Sequence, residues 1–113
     1  MKIFVMTFLL PLFALADSFV IQINDRSMVI NSIEKPRPLF AVLIENKSLS
    51  DQIGRFMAAG KILKYVSVKS LQNETVEIEN KSNAPVIFVP VSPAFQDVEL
   101  KFGKKAYEIP SKE

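Results

Sequence analysis

The sequence predicts a single immunoglobulin-like, Greek-key β-sandwich with one short helix. Three observations lead there. Short apolar runs recur along the chain, separated at regular intervals by Asn, Asp, Gly, Ser and Pro, which is the punctuation of an all-β fold. Residues 75–80 and 98–102 alternate apolar and polar side chains, the pattern of a strand with one face in water. The pentapeptide Ile-Glu-Asn-Lys-Ser occurs twice, at residues 44–48 and 78–82. In each copy an apolar residue ends a strand, and Asn and Ser offer side chains that hydrogen-bond nearby backbone and turn the chain. No similarity extends into the flanks, and the repeat reads as two strands given the same exit rather than as a duplicated unit.

Before the first of these runs lies a segment of another kind. Lys2 precedes an apolar stretch over residues 3–13, and Ala14 and Ala16 place small residues where a signal peptidase reads them. Residues 1–16 are read as a secretory signal peptide and residues 17–113 as the β-sandwich domain. A membrane-spanning helix needs about 20 apolar residues, and Pro11 interrupts this shorter run. No membrane span is expected after cleavage. The chain contains no Cys. A small exported domain without disulfides fits a bacterial periplasm or a secreted protein.

The elements follow in order. Residues 19–23 and 27–33 flank Asn24 and Asp25 as a hairpin. Pro36 and Pro38 break the pattern and mark a connection, with a crossing between sheets as one option. Residues 39–44 are continuously apolar, as in a strand covered on both faces. In residues 50–59, Ile53, Phe56, Met57 and Gly60 fall at helical spacing, with Ser48 or Ser50 as cap, Asp51 in the first turn and Gly60 as the stop. Residues 61–71 return to strand, with Val66 and Val68 on one face. Residues 75–80 alternate, 85–91 are again apolar, and Pro90 signals an edge or bulge near that strand's end. Residues 98–102 and 106–109 close the fold. Phe40, Phe56, Phe88, Phe95, Phe102 and Tyr107 are assigned to the core.

The composition closes off much chemistry. With neither His nor Cys, there is no Ser-His-Asp or Cys-His nucleophile, no zinc site built from nitrogen and sulfur, and no blue-copper centre. Asn24 and Asp25 lack the further acids that a calcium loop requires. No cofactor or metal is expected. The 14 basic and 12 acidic residues are interspersed, without the concentrated basic footprint of a nucleic-acid-binding protein. Two constellations could still carry catalysis. Ser32 and Lys35 have Ser-x-x-Lys spacing but sit in a β pattern before Pro36 rather than on a helix. Glu77 and Glu79 share a strand face that a solvated surface also explains. Asn46, Asn73 and Asn80 begin Asn-x-Ser/Thr triplets, read first as turns.

The favoured function is an exported, non-enzymatic module that binds a protein partner or envelope component. The alternative is a small hydrolase using Ser/Lys or paired Glu. The expected contact is the apolar segment 85–95, through Val86, Phe88, Val89, Pro90, Pro93 and Phe95. Its prolines place it at or near a sheet edge, and no charge lies between Asn83 and Gln96 to blunt that edge.

Overall fold

The alternation of buried and exposed side chains resolves into nine strands in the computed structural model, which describes residues 18–33, 37–92, 95–103 and 106–110. They are β1 (Ser18–Ile23), β2 (Ser27–Asn31), β3 (Leu39–Asn46), β4 (Gln52–Ala58), β5 (Lys61–Val68), β6 (Asn73–Glu79), β7 (Val86–Ser92), β8 (Val98–Leu100) and β9 (Tyr107–Pro110). One sheet has the order β6-β3-β1-β2-β9 and the other β5-β4-β7-β8. The two pack face to face as a β-sandwich. The chain passes between sheets from β3 to β4, β5 to β6, β6 to β7 and β8 to β9, the over-and-back connectivity of Greek-key sandwiches. All strand pairs are antiparallel except β1 with β3. The connection from β2 to β3 therefore joins strands of one sheet, not of two, with β1 between them. The signal segment, residues 1–16, lies outside the described residues.

Inward side chains of both sheets build one core. Phe19, Phe40 and Phe102 meet with ring centroids 5.1–5.4 Å apart. Phe56 and Phe88 stack at 4.9 Å across the β4–β7 pair. Phe40, Phe56, Phe88 and Phe95 are buried, and Phe102 and Tyr107 pack against them half-buried. The apolar run in β3 is covered on its inner face only. Phe40, Val42 and Ile44 are buried, whereas Ala41 and Leu43 are half-exposed and Leu39 is exposed.

The helix expected over residues 50–59 is not formed; this stretch is strand β4. Its inward positions are Gln52, Gly54, Phe56 and Ala58, and its outward positions are Ile53, Arg55 and Met57. The apolar residues that suggested helical spacing thus belong to opposite faces of a strand. Gly54 has a specific reason to be there. A Cβ at this position would meet the Phe88 ring at 2.7 Å and the Val89 carbonyl oxygen at 3.1 Å. Gly60 ends no helix. With Ala59 it forms the tight β4–β5 turn, at φ 75° and 53° respectively.

The repeated pentapeptide acquires its meaning from the topology. Both copies form the corner from the five-stranded to the four-stranded sheet, after β3 and after β6. A strand follows in each case, contrary to the expectation that the flanks differ. The first unit's strands open at Leu39 and Gln52, and the second's at Asn73 and Val86, each 34 residues later. Val42 pairs with Val76 and Arg55 with Val89. Each of these pairs joins corresponding residues of the two units, so a local two-fold relates them. The corners repeat in atomic detail. Asn46 donates through Nδ2 to Ser50 O at 2.9 Å, and Asn80 to Ala84 O at 2.8 Å. Each Asn Oδ1 accepts from the backbone N–H and hydroxyl of the Ser two residues on. Equivalent bends need equivalent partners for the backbone groups they release.

Candidate functional site

The outer face of the four-stranded sheet is unusual because its side chains are apolar on the side away from the core. β4 contributes Ile53 and Met57, and β5 contributes Ile62 and Tyr65. From β7 come Ile87, Val89 and, beside a bulge, Val91. Tyr65 is 67% exposed, and Ile53, Ile62 and Val91 are each at least 44% exposed. Met57, Ile87 and Val89 are half-buried by their neighbours on the same face. Ser67, opposite Ile53, adds one exposed polar residue, and exposed apolar surface of this kind marks interaction sites. One cation stands within it. Arg55 lies between Tyr65 and Val89, and its Nε donates to the Met57 sulfur at 3.3 Å, a weak acceptor for a guanidinium. At the β8 margin Glu99 is exposed beside Ile87. The outer face of the five-stranded sheet is mixed instead, with Glu77, Thr75 and Glu45 interleaved with Ala41, Leu43 and Val20.

β7 holds most of the residues that the sequence singles out, and the structure divides them between two sides. Val86, Phe88 and Phe95 face the core, and Pro90 is buried. Val89 faces outward. Pro93 lies outside the described residues. β7 is flanked by β4 along its length but by β8 only over Val86–Phe88. Among the described residues, no strand pairs with its later half on that side. The register shift against β4 falls between the partners of Pro90 and Ser92, so Pro90 sits beside a bulge, where a missing amide donor is tolerated. The outward residues Ile53, Met57, Ile62 and Tyr65 were missed by sequence reasoning. The signal available was apolar residues at both parities of adjoining strands.

The candidate catalytic groups are dispersed. The Ser32 hydroxyl is buried beside the Tyr107 hydroxyl, and Lys35 lies outside the described residues. Tyr107 donates to Glu99 O at 2.8 Å. Burial holds its phenol above the usual value, opposed by the Lys101 backbone and the neighbouring Ser32 hydroxyl and reinforced by Glu99. Glu77 and Glu79 are exposed on β6, and Glu79 makes a 4.0 Å ion pair with exposed Lys81. An open groove of about 680 Å³ at the β6–β7 corner is lined by Arg37, Phe40, Lys81, Lys101 and Phe102 among others. A second, of about 440 Å³, has Ala58, Leu63, Glu79 and Lys81 in its wall. Neither groove brings Glu77 together with Glu79. Among the described residues, no three carboxylates gather as a metal site would need.

No protein-family model, curated protein or solved structure matches this chain. Its geometry defines a β-sandwich with one unusually apolar sheet face.

Proposed function

We propose that this chain is an exported, non-enzymatic module that binds a protein partner or envelope component through the outer face of its four-stranded sheet. The observation that carries the reading is the exposed apolar surface formed by Ile53, Ile62, Tyr65 and Val91 around half-buried Met57 and Val89. A core packs only the inner face of this sheet, so stability alone gives no reason for apolar residues outside. The export component is supported by the apolar N-terminal stretch with Ala14 and Ala16, and by the absence of Cys. Within the segment predicted for contact, the reading assigns the role to Val89 together with Ile87 and Val91. Val86, Phe88 and Phe95 support the fold from the core.

Val89→Lys tests this. A lysine on the outer face can run its stem along the sheet and keep its ammonium in water, so a stability change of no more than about 1 kcal/mol is expected. The variant should unfold at nearly the wild-type urea midpoint and lose the envelope component that immobilised wild-type protein captures. Equal capture by the two folded proteins would overturn the reading.

A further inference from the structure

We infer that the partner seated on this face is a second copy of the same chain, related by a two-fold axis running along β7. The inference rests on the proposed docking face and adds what covers its β4, β7 and β8 strands, with Ile62 and Tyr65 of β5 at the rim. Placement of charge carries it. The apolar strip along β7 has a cation on one flank and carboxylates on the other. Arg55 stands on β4, one strand to one side, level with Val89. Glu99 stands on β8, one strand to the other side, level with Ile87. Val98 pairs with Phe88, so exposed Asp97 continues that margin to the level of Val89 and Arg55. No ion pair within 4.0 Å among the described residues neutralises either flank. Among the described residues, Lys81–Glu79 is the sole ion pair within 4.0 Å, and Arg55 has the Met57 sulfur in place of a carboxylate.

A two-fold laid along β7, between two such faces, keeps every residue at its height along the strands and exchanges left for right. β4 of each copy then lies over β8 of the other. Arg55 meets Asp97 and Glu99 of the opposite copy, twice by symmetry, while Ile87, Val89 and Val91 pack at the axis. The charge pattern also selects this axis. A two-fold across the strands would lay β4 on β4 and bring Arg55 against Arg55. Lys101 shares this margin two residues beyond Glu99 and four beyond Asp97, about 7 and 13 Å away, which makes Asp97, level with Arg55, the principal partner. The three strands that overlap, β4, β7 and β8, lie about 4.8 Å apart and are at most seven residues long, a footprint of no more than roughly 330 Å². That is about two-fifths of the area per partner of a standard interface, so the dimer is weak and reversible.

Sedimentation velocity of the purified protein from micromolar to millimolar concentration reads this directly. The expected result is a monomer that passes to a dimer with rising concentration. Arg55→Glu and Glu99→Arg should each weaken association by about tenfold or more. The charge-swapped double variant should recover most of the loss. A wild-type monomer at millimolar concentration, a dimer indifferent to either reversal, or a double variant no better than the singles would each overturn the inference. Glu99→Arg lies at an exposed position and decides alone if Arg55→Glu fails to fold by circular dichroism. If wild type stays monomeric while Val89→Lys still abolishes capture from envelope extract, the docking face stands and the second copy falls. If neither association nor capture responds to Val89→Lys, the face itself falls.

Discussion

Asn46 and Asn80 occupy equivalent corners and make equivalent bonds, yet burial makes them unequal. Asn46 is 1% exposed and uses its second amide hydrogen on Val68 O at 2.9 Å, which ties the corner to the end of β5. Buried Gln52 adds a bond from Nε2 to the Ser48 hydroxyl at 3.0 Å. Asn80 is half-exposed, and water can replace what its side chain provides. Asn46→Ala leaves the Val68 carbonyl and the Ser48 amide short of partners, while Ser50 O keeps the Ser48 hydroxyl, with an expected cost of about 2–4 kcal/mol. Asn80→Ala should cost about 0.5–1.5 kcal/mol. Urea unfolding of the two variants measures the difference, and equal losses would contradict this division of roles. The corner chemistry was legible in the sequence, because Asn and Ser at that spacing bend a chain for a known reason. The inequality was not, because burial of Asn46 depends on β5, far away in the chain. Tyr107 supplies a pH dependence at the same scale. Burial raises its folded pKa, so the folded state holds the phenolic proton more tightly than the unfolded chain does. That stabilisation is complete below the unfolded value of about 10 and is lost as pH rises through the folded value. The stability gap between wild type and Tyr107→Phe should therefore hold steady below about pH 10 and narrow as pH rises above it. A gap that stays constant or widens there would contradict the assignment.

The elements show where sequence periodicity has authority and where it fails. β6 was legible because Val76 and Ile78 alternate with Thr75, Glu77 and Glu79, and the fold puts them on opposite faces as expected. β4 was not. Its inward positions hold a Gln required by a buried serine, a Gly required by the Phe88 ring, and a small Ala, with Phe56 the only large apolar residue among them. Its outward positions hold Ile and Met. Apolar residues at both parities produced helical spacing by coincidence. The same inversion is the candidate site, so the misread strand and the missed surface have one cause. In β7 the apolar run was legible as a strand, but continuous apolarity cannot reveal which parity faces the core. The β4–β5 turn gives this scale its prediction. Ala59 holds φ 53° and Gly60 φ 75°, and a turn with both central residues left-handed favours Asn-Gly. A left-handed Ala costs about 1–2 kcal/mol, part of which Asn avoids because it tolerates that region. Ala59→Asn should raise stability by about 0.5–1 kcal/mol, measured as a higher urea midpoint at unchanged slope. A lower midpoint would show that the turn is not what limits this hairpin.

At the scale of the whole molecule, the two-sheet architecture was legible and the strand order was not. The chain lists nearly all its strands by composition, but the placement of β1 between β2 and β3 depends on which strands pair across the sheet. That placement makes the N-terminal boundary consequential. Processing after Ala16 would leave β1 whole, since it opens at Ser18. A cut after Ile23 would remove a strand that pairs along one side with β2 and along the other with β3. Phe19, Ile21 and Ile23, all at most 1% exposed, would go with it. Burial of three such side chains contributes about 5–9 kcal/mol, comparable with the whole stability of a domain at about 5–15 kcal/mol. The β2 and β3 edges left unpaired would add to the loss. The chain of residues 17–113 is therefore expected to unfold cooperatively in urea with dispersed amide resonances. The chain of residues 24–113 is expected to show neither at any temperature above freezing. A cooperative transition in the shorter chain would contradict the central role of β1, and its absence in the longer one would place the domain boundary before Asp17.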